Sequence, residues 1–265
     1  TTSTLSQTFA DSEEPIYQLE DYVVSAGPVA RPVEDFASPF SALDSDEILR
    51  ESGSTLGDLL DGQPGVTSSS FGGGASRPII RGFDGPRVRI LDSGIEALDV
   101  SSTSPDHAVS TEPMLVERVE ILRGPSTLLY GSSAIGGVVN VIGREIPRTP
   151  VEDGMIEGGF EFSHDSASDG ETSLGYVKAG TQNWAISITG LKRDNDDYDI
   201  PDDADSGNGE NHDDDDHDDE EEAESGTLEN SFVDTDAYSI GGTWFFDQGS
   251  YFGASISNYA SAYGV

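Results

Sequence analysis

The sequence predicts an α+β domain followed by antiparallel strands of a transmembrane β-barrel. Three observations predict it. Residues 41–150 mix short helical signals with apolar runs and glycine turns. Residues 151–265 alternate apolar with small or polar side chains, in segments of roughly ten residues. The links between those segments alternate in length, which is the asymmetry of an outer-membrane barrel.

Composition narrows the function. The 265 residues hold 13 Lys and Arg against 51 Asp and Glu, a formal charge of −38. A field of that sign repels phosphate and excludes a nucleic-acid partner. No apolar run of about eighteen residues exists, so no transmembrane helix is expected. The absence of Cys excludes disulfides, thiolate metal sites and Cys nucleophiles. With 31 Gly and 13 Pro, the chain is turn-rich and unlike a helical bundle. It opens on Thr1 with no basic-plus-apolar leader, as expected of a processed protein or a fragment. Residues 194–229 carry 19 of the acids and no Lys or Arg, so the charge belongs largely to one segment.

Residues 1–40 are polar and broken by Pro15, Pro28, Pro32 and Pro39, the pattern of a flexible tail. Within it Leu19-Glu20-Asp21-Tyr22-Val23-Val24-Ser25-Ala26 favours an extended conformation. That stretch fits either a short edge strand or a peptide that adds to a partner's sheet edge.

In residues 41–150, Ser45-Asp46-Glu47-Ile48-Leu49 has a capping residue and an acidic first turn. Ser54-Thr55-Leu56-Gly57-Asp58-Leu59-Leu60 reads as a second short helix, stopped by Gly62 and Pro64. Strands are expected at 79–81, 87–91, 116–122 and 138–142, with glycine turns at 71–74, 82–85, 124–125 and 131–137.

The following segments change period. Ile156, Gly158, Phe160 and Phe162 alternate with Glu157, Gly159, Glu161 and Ser163. Residues 171–181 form a less regular strand. Trp184, Ile186 and Ile188 oppose Ala185, Ser187 and Thr189, while Tyr238, Ile240, Gly242, Trp244 and Phe246 oppose Ser239, Gly241, Thr243 and Phe245. Phe252, Ala254 and Ile256 complete the apolar face. With the first strand running outward, tight turns at Gln182-Asn183 and Asp247-Gln248-Gly249 fall on the periplasmic side and the acidic 194–229 falls outside. A soluble sandwich also alternates, and is the competing reading. Five strands cannot close in lipid, so the sequence is expected to be an N-terminal fragment of a longer chain.

The residues of 54–142 resemble the plug domain of TonB-dependent outer-membrane receptors. The motifs are Leu56-Gly57-Asp58-Leu59-Leu60, Gln63-Pro64-Gly65-Val66, Pro78-Ile79-Ile80-Arg81-Gly82 and Arg87-Val88-Arg89-Ile90-Leu91-Asp92. They continue with Val116-Glu117-Arg118-Val119-Glu120-Ile121-Leu122-Arg123-Gly124-Pro125, Leu129-Tyr130-Gly131-Ser132 and Gly136-Gly137-Val138-Val139-Asn140-Val141-Ile142. The resemblance implies a plug at 41–150 inside a 22-stranded barrel whose first five or so strands lie in 151–265. It implies a bacterial outer-membrane location, with a periplasmic tail and an extracellular acidic loop. The stretch 19–26 is similar to a TonB box. Glu20, Asp21, Tyr22, Val23, Val24 and Ser25 would thus pair with TonB, itself driven by an inner-membrane complex. Arg81, Arg118 and Arg123, few among many carboxylates, are expected in structural ion pairs, with barrel-wall acids as candidate partners.

Two features bear on cargo. His212, Asp213, Asp214, Asp215, Asp216, His217 and Asp218 combine imidazoles with dense carboxylates, which suits Zn²⁺ and, less selectively, Mn²⁺ or Ca²⁺. A purely solvated acidic loop is the bland alternative. In the plug segment, Asp106 and His107 place a carboxylate beside an imidazole. These features, with Asp197-Tyr198-Asp199-Ile200-Pro201 and Tyr263-Gly264-Val265, resemble the zinc-uptake branch of these receptors. That resemblance implies zinc as cargo, Asp106 and His107 as the plug part of its site, and His212 and His217 as part of a capture loop. No nucleophile motif supports an enzyme, and no catalytic cofactor is expected. A siderophore or haem receptor is the nearest rival, opposed by the negative loop. A calcium-binding adhesin is another, which leaves the plug motifs without a role.

Overall fold

A computed structural model describes residues 23–24, 31–32, 39–51, 53–97, 100–152, 154–200, 226–246 and 250–265. Two short strands, β1 (Val23–Val24) and β2 (Arg31–Pro32), pair antiparallel ahead of the first domain.

The first domain begins with β3 (Phe40–Leu43), α1 (Ser45–Glu51) and α2 (Leu56–Leu60). A hairpin follows, formed by β4 (Val66–Ser70) and β5 (Ser76–Ile80). Then come β6 (Val88–Asp92), β7 (Ile95–Glu96), β8 (Val116–Leu122) and β9 (Gly137–Gly143). One sheet has the order β3-β8-β9-β6-β7, and only its β6–β9 pair is parallel.

The first helix is capped one residue earlier than expected, by Asp44, whose Oδ1 accepts the Asp46 and Glu47 N–H groups at 3.0 and 2.9 Å. Ser45 is already helical and donates to the Glu117 carbonyl. The second helix is capped as expected. Thr55 Oγ1 accepts the Asp58 backbone N–H at 3.2 Å and donates to the Asp58 carboxylate at 2.7 Å. Just past α2, Gly62 takes a positive φ of 85° and turns the chain. Ile48 of α1 and Leu56, Leu59 and Leu60 of α2 are buried against Val119, Ile121 and Val139 of the sheet. Each such side chain contributes about 1.5–3 kcal/mol on burial.

The expected helices at 45 and 54 and the strands at 116 and 138 are present. The strand expected at 79–81 is displaced. It runs over Ser76–Ile80, and Arg81 sits in the following turn with φ 53°, its N–H bonded to the Gly65 carbonyl at 2.9 Å. Strands β3, β4 and β7 were not expected. They are short, and their residues carry no clean period.

The wall comprises β10 (Ile156–Asp165), β11 (Gly170–Gly180), β12 (Trp184–Asn195), β15 (Val233–Phe245) and β16 (Tyr251–Tyr263). They pair antiparallel in that order. Between β12 and β15, β13 (Tyr198–Asp199) pairs with β14 (Thr227–Leu228). Strand β12 extends well beyond the expected 184–189, so Asp194 and Asn195 belong to the wall rather than to the acidic connection. The tight turn at 182–183 is present, closed by Thr181 N–H to the Trp184 carbonyl at 2.7 Å. The turn expected at 247–249 lies outside the described residues.

Alternation sorts the wall into two faces. Ile186, Ile188, Ile240 and Ile256 point outward and are exposed, whereas Ser187, Thr189, Ser239 and Thr243 are buried against the first domain. Trp184, Trp244 and Phe252 are register partners and make an aromatic row across three strands on the outer face. An apolar face turned away from the domain it encloses belongs to a barrel, not to a sandwich, whose apolar faces meet inside.

Close backbone approach joins domain and wall. A Cβ on Gly241 would collide with the Glu145 carbonyl oxygen, so only glycine fits there. Val151 is fully buried against Ala185 and Phe245.

Candidate functional site

Asp106 and His107 lie on a loop after a short 3₁₀ turn, Val100–Ser102. The His107 Nδ1 stands 3.1 Å from Asp106 Oδ1. Ser104 Oγ also donates to Asp106 Oδ1. The Ser104 hydroxyl, and after it His107, hold the Asp106 carboxyl below the ordinary range, so it is ionised at neutral pH. Both side chains are exposed, at 41% and 49%.

The loop is tied to the wall next door. Ala108 N–H donates to the Tyr263 hydroxyl at 2.8 Å. Tyr263 is in register with Val233, so the pair sits at the end of the wall that bears the acidic connection. Among the described residues no group of three or more His, Asp and Glu side chains is arranged to hold a metal. The structure brings two of the expected ligands together and joins no third to them. His212, Asp213, Asp214, Asp215, Asp216, His217 and Asp218 lie outside the described residues, as do Glu20, Asp21, Tyr22 and Ser25. Val23 and Val24 form β1, paired with Arg31 and Pro32.

The stem of the acidic connection is ordered by one carboxylate. Asp197 accepts the backbone N–H groups of Asn230, Ser231 and Phe232 at 3.2, 2.7 and 2.9 Å. Beside it, Asp196, Asp199 and Asp169 line an open acidic cavity of about 360 Å³. This clamp was invisible in sequence, where Asp197 is one acid among many.

A second unforeseen feature joins the first domain to the wall. Arg193 of β12 forms a two-pronged ion pair with Glu112, Nη1 to Oε2 at 2.8 Å and Nη2 to Oε1 at 3.1 Å. Both are buried, at 4% and 2% exposure. Arg193 also donates to the Ser54 carbonyl and Thr172 Oγ1, each at 3.3 Å. Burial pushes the Glu112 carboxyl up, while the Arg193 cation opposes the shift. A lone Arg in an otherwise alternating strand was the available signal.

The expected ion pairing of the domain's own arginines is met locally in part. Arg118 pairs with Glu120 of the same strand at 2.9 Å. Glu120 is fully buried and also accepts Asn140 Nδ2 at 3.0 Å. Arg123 is 4% exposed and donates to Ser41 Oγ at 3.0 Å. No wall carboxylate reaches Arg81 or Arg123 among the described residues.

Residues 32–138 match the family model described as TonB-dependent Receptor Plug Domain. The fold is similar to a mutant of the ferric enterobactin receptor PfeA from Pseudomonas aeruginosa in complex with enterobactin, at 20% identity and a TM-score of 0.57. That match covers 84% of this chain and 33% of the other. The siderophore receptor PirA from Acinetobacter baumannii matches at 18% identity and a TM-score of 0.56, over 85% of this chain and 32% of that one. The copper transporter OprC matches at 19% and 0.58, over 85% and 31%. The chain thus spans about a third of the length of the structures it matches. Residues 32–138 therefore match the plug domain of TonB-dependent receptors, and the strands after them share the fold of the corresponding part of the receptors and transporter to which the chain is similar.

Proposed function

We propose that the whole receptor imports a divalent metal ion, zinc, in a TonB-dependent cycle. The observation that carries this reading is the Asp106–His107 contact at 3.1 Å, anchored through Ala108 and Tyr263 at the mouth where the acidic connection emerges. An ionised carboxylate and an imidazole on adjacent residues give one O and one N ligand, the borderline donor set that zinc takes. The acidic connection around His212 and His217 concentrates cations above the mouth, because a field of this size raises local cation activity. Further barrel residues complete the coordination. Occupancy then frees residues 20–25 in the periplasm, where TonB pairs with them as an added strand. A copper transporter is among the structures of similar fold, which supports a metal as cargo for this architecture.

The second reading is a ferric siderophore receptor, favoured by the likeness in fold to the ferric enterobactin receptor PfeA and the siderophore receptor PirA. Against it stands the acidic mouth, which repels an anionic chelate. A calcium-binding adhesin does not account for a plug domain.

The deciding experiment is calorimetric titration of the full-length receptor in detergent with Zn²⁺, Ca²⁺ and ferric enterobactin, repeated with His107→Ala. Zinc binding that weakens at least about tenfold in the variant supports the reading, one ligand being worth that much. Unchanged zinc affinity removes the plug site, and tight chelate binding without zinc binding selects the rival.

A further inference from the structure

The segment after β9 runs between plug and wall, and its side chains alternate between two cavities. Gly143 and Glu145 line one of about 130 Å³, together with the acids Asp92 and Glu112. Arg144 lines the other, of about 490 Å³, together with Arg148 and Lys178. In a chain with 13 Lys and Arg against 51 acids, three cations at one cavity mark it as the opposite pole of the molecule.

Arg144 is held there by two contacts. Its guanidinium lies over the Tyr176 ring, 4.4 Å from the centroid, which fixes the plane. Its backbone N–H bonds the Leu115 carbonyl at 3.4 Å. The Nε and Nη2 atoms are buried and have no hydrogen-bond partner among the described residues. These two nitrogens form the side-on edge of the guanidinium, whose parallel N–H groups match the two oxygens of a carboxylate or phosphate. Two acids also line the cavity. Glu157 is engaged by Lys178 at 3.4 Å, and Glu117 is the other.

We propose that this cavity is an oxyanion site, in which Arg144 grips a carboxylate or phosphate group through Nε and Nη2 while Arg148 and Lys178 supply surrounding positive charge. The volume admits a small oxyanion and no folded partner. The inference does not rest on the zinc reading, since the site takes the opposite charge. The oxyanion has two possible sources of one chemistry, a free small anion or an acidic side chain from a further wall strand beside β10. Strand β10 is one of the two edge strands of that sheet among the described residues.

The test uses the full-length receptor in detergent, titrated calorimetrically with inorganic phosphate, alongside Arg144→Met and Arg144→Lys. A free anion predicts saturable phosphate binding that falls about tenfold or more in both variants, because lysine keeps the charge and loses the fork. A side-chain source predicts no phosphate binding. It also predicts a protein carboxylate within about 3.2 Å of both nitrogens in a crystal structure of the full-length receptor. Zinc binding is unchanged in either variant, which separates this site from Asp106 and His107. The proposal is overturned by phosphate binding that both variants retain. It is equally overturned by no phosphate binding together with a crystal structure in which Nε and Nη2 meet water alone. The Lys variant and the wild-type crystal structure keep the test decisive should the Met variant misfold.

Discussion

Arg193 of the barrel wall and Glu112 of the plug face each other as a buried, two-pronged ion pair at 2.8 and 3.1 Å. Two charges taken out of water hold one another in place, and the plug is pinned to the wall at that point. Removing one partner strands the other. Arg193→Ala or Glu112→Ala is expected to destabilise plug seating by about 3–5 kcal/mol, while the double change Arg193→Leu with Glu112→Met is close to neutral. Denaturant unfolding of the full receptor, followed by protease access to the plug, measures both.

Asp106 offers a pH-dependent prediction with a fixed sign. Its pKa is lowered, first by the Ser104 hydroxyl and then by His107. The contribution of these contacts is present above the unfolded pKa and is lost as pH falls through the lowered folded value. Ser104→Ala is expected to move the Asp106 titration upward, toward that of a free aspartate. Carboxyl-detected NMR titration of the labelled residue reads the shift, and an unmoved midpoint contradicts the assignment.

The wall's outer face predicts a lipid cost. Ile240 is outward and exposed, and its cross-strand partners are Ile188 and Ile256. Ile240→Lys is expected to cost about 2–4 kcal/mol of folding free energy in a bilayer if it lies at mid-depth. Urea titration in lipid vesicles checks it.

Gly241 predicts the opposite kind of failure. A side chain there collides with the Glu145 backbone rather than with a movable tip. Gly241→Val should leave the barrel folded and the plug unseated. Heat-modifiable migration of the barrel together with faster proteolysis of the plug is the expected result.

Much of this architecture was legible in the sequence because two periods carried it. The alternation of Trp184, Ile186 and Ile188 with Ala185, Ser187 and Thr189 names the outward face of the wall. The capped run Thr55-Leu56-Gly57-Asp58-Leu59-Leu60 names a helix. Arg81 was misplaced because its apolar neighbours, Ile79 and Ile80, extend a strand that the positive φ of Arg81 and Gly82 then ends. At the candidate site, the Asp106–His107 contact follows from adjacency and could be anticipated. The Arg193–Glu112 pair joins residues 81 apart and could not, because register across a domain boundary leaves no local trace. Nor could the paired cavities on either side of Arg144, which depend on where the plug settles.

The stem at Asp197 has a further consequence. One carboxylate gathers three consecutive backbone N–H groups, and Tyr198–Asp199 zips to Thr227–Leu228 directly beside it. Both ends of the excursion are thereby fastened by one side-chain carboxylate and a short main-chain ladder, neither of which draws on the residues mounted between them. Such a mounting lets natural variation exchange the intervening sequence, lengthening, shortening or recharging it, without refolding the staves beneath. The sequence between the two anchors can then be exchanged as a cassette.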